Sequence, residues 1–124
     1  MENFKINTEE MHELRIMING AEYALFPYTL KFMDATEKFV VISEELKKES
    51  AMATTEEGRG QVVIKACRLV KETINSILGK NAYQKIFNNM TVNLKQHDEL
   101  MAFVFDKVIE FKKENDQHIN KPAS

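Results

Sequence analysis

The chain has 124 residues, 44% of them hydrophobic and 29% charged, with a formal net charge of -2 and a pI near 5.9. That length holds one core and not two, the composition is that of a globular chain rather than a disordered one, and the charge offers no cationic footprint for nucleic acid. No apolar run nears the roughly 20 residues a bilayer demands, and Met1-Glu2-Asn3-Phe4-Lys5 lacks the basic and apolar regions of a secretory leader. A cytoplasmic protein without membrane contact is therefore expected.

Residues 1–12 are polar with scattered apolar positions (Phe4, Ile6, Met11) and leave strand, helical turn and free arm all open. From Glu13 to Phe26 two alternating runs flank Asn19-Gly20, the strongest short signal for a hairpin, because a type I′ turn requires positive φ at both central residues. A two-residue loop sets the register. It pairs Ile18 with Ala21, Ile16 with Tyr23 and Leu14 with Leu25 on one face, leaving Arg15 and Glu22 on the other. Such a hairpin needs a helix or a third strand against its apolar side.

Pro27 ends the second strand, and Asp34 with Glu37 three residues on predicts a capped helix starting near Ala35. Phe39, Ile42 and Leu46 line its inner face. Val40 and Val41 do not fit that stripe, and the run from Phe39 to Ile42 favours a strand locally. The following Glu44-Glu45-Leu46-Lys47-Lys48-Glu49 decides for helix by propensity. Residues 50–60 read as a loop or frayed helix start, with Thr54 or Thr55 as a cap.

The long helix after it carries a stripe of Val63, Ala66, Cys67, Val70, Ile74, Ile77 and Leu78, at steps that keep them on one face. It stops at Gly79, which suits a left-handed terminus. Asn81 caps a short helix through Phe87, Asn88-Asn89 breaks it, and Asn93 with Gln96 caps a last helix. That helix repeats the stripe with Leu94, Met101, Val104, Phe105, Val108 and Phe111, widened by Leu100 and Ile109. Two such faces can cover each other. The expected fold is mainly α (α+β), an N-terminal β-hairpin packed on a bundle of three to four helices. Residues 1–114 form one α-rich domain with the hairpin at 13–26, and 115–124 form a disordered tail.

Chemistry is harder to find. His12, His97 and His118 lie far apart and none sits at metal-ligand spacing from another histidine or from Cys67, so neither metal nor cofactor is expected. Cys67 reads as a small buried hydrophobe rather than a redox group. His97 falls near the last stripe and reads as a boundary residue with its ring half covered. No carboxylate pair, phosphate loop or nucleophile elbow occurs, so an enzyme is not expected. Two features point to protein contacts instead. Phe103 projects about 160° away from Met101 on a helical wheel, among Glu99, Asp106 and Glu110, although the hairpin or the first helix could equally cover it. The seven methionines suit an adaptable binding surface or an irregular core, and the core is the expectation for most of them.

The hairpin Ile16-Met17-Ile18-Asn19-Gly20-Ala21-Glu22-Tyr23, the helix opened by Asp34 with Glu37, the Cys67 helix ending at Gly79, then Ala82, Lys85-Ile86-Phe87 and the Asn93-started helix together resemble a family of small prophage proteins. That Firmicutes (low-GC Gram-positive) family is similar in size and layout to phage tail assembly chaperones encoded beside the tape measure protein. The resemblance spans about residues 13–112. It implies a chaperone that coats the apolar-striped tape measure chain in the host bacterial cytoplasm before the tail tube protein polymerises around it. The alternative is a structural virion component, a neck or tail-completion protein with permanent ring contacts. Phe103, by insertion in a groove, and Met17, Arg15 and Glu22 on the exposed hairpin, by strand addition, are the candidate partner-binding residues. Whether the chain also forms a homo-oligomer is left open.

Overall fold

The computed structural model describes residues 1–5, 12–88, 90 and 92–119; the readings made above for Ile6, Met11, Asn89 and 120–124 lie outside that set. The chain is mostly helical behind an N-terminal antiparallel hairpin, β1 (Leu14–Ile18) and β2 (Ala21–Leu25). Leu14 pairs Leu25, Ile16 pairs Tyr23 and Ile18 pairs Ala21, as the two-residue loop requires. Asn19 and Gly20 both take positive φ, 51° and 78°. The turn does a second job, since Asn19 Nδ2 donates to the carbonyl of Ile86 at 2.8 Å and ties the hairpin tip to the rest of the molecule. Ile16 and Leu25 are buried, whereas Arg15 and Glu22 face outward.

Helix α1 (Leu30–Met52) starts five residues before the expected Ala35. The cap is Thr29: its hydroxyl accepts from the Phe32 amide and donates to the Phe26 carbonyl at 2.8 Å, closing the turn around Pro27. A hydroxyl placed directly after that turn reaches the first free amides before Asp34 can. Asp34 instead sits inside the helix and pairs with Lys38 at 3.2 Å. Phe32, Ala35 and Leu46 turn inward, while Val40 and Val41 face water, which explains their failure to fit the stripe.

The region 50–60 is mostly helix rather than loop. α1 ends at Met52 and α2 (Glu56–Ile77) begins after three residues, with the Thr55 hydroxyl accepting from Gly58 N at 3.0 Å. Glu56 and Glu57 in the first turn complement the helix dipole. A link from Lys65 to Glu49 at 2.7 Å holds the two helices together where they meet, above a small core of Leu46, Val62 and Leu69.

Gly79, at φ 116°, lets the chain leave α2 in a conformation that side-chain-bearing residues rarely adopt. α3 (Ala82–Phe87) follows, with Asn81 at its N-cap position, but the expected side-chain cap is not made. Asn81 itself is left-handed there (φ 66°), and Asn75 of α2 supplies the missing acceptor through Oδ1 to the Tyr83 amide at 2.9 Å. α4 (Leu94–Ile119) opens with the expected reciprocal cap: Gln96 N donates to Asn93 Oδ1 and Asn93 N donates to Gln96 Oε1. It runs past Glu114, where the sequence reading ends it.

The main core joins Ile16 and Leu25 of the hairpin and Phe32 of α1 to Val70, Ile74 and Ile77 of α2, Ile86 of α3, and Leu100, Met101, Val104 and Val108 of α4. The stripes on α2 and α4 thus meet over the C-terminal half of α2. Its N-terminal half turns to α1 instead, so Val62 is buried there and Val63, expected in the stripe, is 39% exposed. Ile109 likewise faces water.

Candidate functional site

Behind α3 lies a polar pair, a buried His97 and a half-buried Tyr83. His97, expected to be half covered, is only 1% exposed. Its Nδ1 lies 2.7 Å from the Asn93 carbonyl, which can only accept, so Nδ1 carries the proton. Nε2 is then the acceptor, and the Tyr83 hydroxyl donates to it at 2.6 Å. Phe87 stacks on the imidazole with centroids 4.9 Å apart, and Tyr83 meets Phe87 edge-on. Both ring nitrogens are thus engaged within the chain.

Burial acts on two groups of the chain, both of which it keeps protonated to higher pH. Burial, with Asp98 adding to it, pushes the Cys67 thiol above its ordinary range, and Tyr83 is pushed up by burial and then by Cys67. A protonated thiol is a weak nucleophile. Among the described residues, no group of three or more His, Cys, Asp or Glu side chains could hold a metal ion, and no buried side-chain nitrogen or oxygen lacks a partner. The Phe87 ring rests against both members of the pair.

That ring forms one wall of an open groove of about 370 Å³ at the junction of β1, α3 and α4. Met17 and Ile18 line it from the hairpin, Ile86 and Phe87 from α3, Met90 from the segment after it, and Leu100 and Phe103 from α4, with Asn19, Gln96 and Glu99 as polar groups. Phe103 is 38% exposed and Met17 59% exposed. Lys107 Nζ sits 5.7 Å from the Phe103 ring centroid, and Glu99 is paired only loosely with Lys95 at 3.8 Å. Chemically, such a groove can take one or two apolar side chains and an adjoining cation.

Of the partner-binding candidates, the structure brings Met17 and Phe103 together here. Arg15 and Glu22 are not in the groove: they pair with each other at 2.9 Å on the exposed face of the hairpin, with Glu13 3.3 Å from Arg15. The methionines depart from expectation. Met101 is in the core, but Met1, Met17, Met33, Met52 and Met90 are all exposed. Met90 and Phe87 were missed as groove residues because they come together with α4 only through the fold. The burial of His97 was legible: stepping back four residues from Met101 on the sequence 101, 104, 108 lands on it.

The model of a family of unknown function (DUF6673) matches residues 19–124, and the chain belongs to that family. No curated protein and no solved structure matches it. Among the described residues, no helix is long and apolar enough to cross a membrane.

Proposed function

We propose that this member of the DUF6673 family acts by binding another protein chain in the groove between β1, α3 and α4, as a phage tail assembly chaperone in the host cytoplasm. Its client is the tape measure protein, whose apolar-striped helices would otherwise aggregate, and the tail tube protein displaces it as the tube grows. The observation that carries this reading is the meeting of Phe103, Met17 and Met90 at one open groove. Methionine side chains adapt to varied apolar partners, and an amphipathic helix presents its anchors at the spacing a groove accepts.

The size of the groove suits transient work. Burying one large apolar side chain contributes about 1.5–3 kcal/mol before the costs of association are subtracted. Single contacts of that size hold weakly, so several copies along a long client keep it soluble and each is readily displaced. No catalytic step enters this account.

Coexpression with the tape measure chain encoded at the same locus tests it. The chaperone reading expects soluble tape measure chain with the wild-type protein and precipitate with Phe103→Glu. Equal insolubility with and without the protein overturns it. Presence in mature particles at fixed copy number would instead assign a virion component.

A further inference from the structure

We infer that the hairpin tip is a site of spontaneous modification: Asn19 loses its side-chain amide through attack by the Gly20 nitrogen, and the change unties β1 from α3. The chemistry concerns this chain alone, and only its effect on a client rests on the function proposed above. Of the asparagines in the chain, Asn19 is the one followed by glycine. A glycine lays no side chain beside its own nitrogen, which leaves that nitrogen open to the carboxamide carbon before it. Asn19 and Gly20 are both exposed, so water reaches the site. Ile18 and Ala21 pair across the loop, and the Gly20 amide takes no part in the ladder that they close.

The step needs no catalyst. The Gly20 N–H gives its proton to hydroxide, and the nitrogen electron pair forms a bond to Asn19 Cγ. The Cγ–Nδ2 bond breaks, Nδ2 takes up a proton, and ammonia leaves behind a five-membered imide. Water then opens that ring at either carbonyl. Opening at Cγ gives an aspartate on the original backbone, whereas opening at the main-chain carbonyl gives an isoaspartate whose chain runs through Cβ and Cγ. By either route one asparagine and one water become one acid and one ammonia.

The departing atom is the one that holds the hairpin tip. Asn19 Nδ2 donates to the Ile86 carbonyl at 2.8 Å. Ile86 lies in the last turn of α3, where a carbonyl has no partner within its own helix. The new carboxylate can only accept and so can that carbonyl, so an attraction becomes a repulsion between a charge and a dipole. The isoaspartate adds a second disturbance, because an extra carbon in a two-residue loop no longer suits the pairing of Ile18 with Ala21. Asn19 and Met17 line the same groove as Ile86 and Phe87. Conversion therefore loosens one wall of the groove and places a negative charge beside it, and the converted chain holds an apolar client less well.

Ageing the purified full chain in warm, mildly alkaline buffer tests the inference without any client. Peptide mapping is expected to find the amide-to-acid mass change at Asn19 ahead of Asn75, Asn81 and Asn93, which precede Ser76, Ala82 and Leu94. Aged wild type and freshly made Asn19→Asp should both exchange the hairpin amides faster, by about tenfold, the size of one lost hydrogen bond. An Asn19 that persists while those other asparagines convert overturns the modification. Hairpin exchange that is unchanged both in the converted chain and in Asn19→Asp overturns the untying. Neither readout involves a client, so both stand apart from the outcome of the coexpression test.

Discussion

Met101 and Met17 are the same residue type, yet one is 4% exposed and the other 59%. Met101 belongs to the main core, in one cluster with Val70 and Ile74 of α2. Met17 instead lines the open groove at the junction of β1, α3 and α4, together with Phe103. α4 is the shared wall of both regions. The difference shows that burial of a methionine here follows from which elements pack against α4, and not from residue type.

Substitutions on the two sides of α4 should therefore separate stability from binding. The largest expected effect is Ile74→Ala, which leaves a cavity at a fully buried position and should cost about 2–5 kcal/mol in denaturant unfolding. Next is Tyr83→Phe, which removes the donor to His97 Nε2 and should cost about 1–3 kcal/mol. Because Phe87 stacks on that imidazole, the same substitution should also loosen the groove wall, read as line broadening of the Phe87 ring signals. At the small end, Phe103→Ala should change stability by under about 1 kcal/mol while abolishing client solubilisation. A large stability loss there would merge the two regions and remove the distinction.

A pH series sharpens the same contrast from the core side. Burial raises the Cys67 thiol and the Tyr83 phenol, so the folded state favours their protonated forms. The stability this contributes is complete at neutral pH and is lost as pH rises past the ordinary thiol and phenol ranges, from about pH 8.5 upward. Tyr83→Phe should flatten that alkaline decline, and Cys67 should label more slowly with a thiol reagent than a free cysteine.

Local signals were legible and tertiary ones were not. Asn19-Gly20 determined the hairpin and its register because a two-residue loop leaves one pairing, and the Asn93/Gln96 cap is written in three residues of spacing. The start of α1 was misplaced because two caps compete, and Thr29 gains from the turn at Pro27 in a way that spacing alone does not rank. Asn81 was a similar case, since its capping role passes to Asn75 eight residues upstream of Tyr83. The α2 stripe was legible as a period but not as a destination: one end serves α1 and the other α4, so Val63 and Val62 exchange places. Of the groove, Phe103 was visible as a misfit to the stripe of its own helix, and Met17 only as a candidate on the exposed hairpin. Their meeting with Met90 depends on how α3 turns the chain, which no periodicity encodes.

The most direct test of the proposed reading is a carbon-13 methyl spectrum of the methionines, recorded for the protein alone and after coexpression with a tape measure chain. The account predicts that the Met17 and Met90 signals shift or broaden while buried Met101 is unmoved. Unchanged Met17 and Met90 signals, or a locus that encodes no tape measure chain, would contradict it.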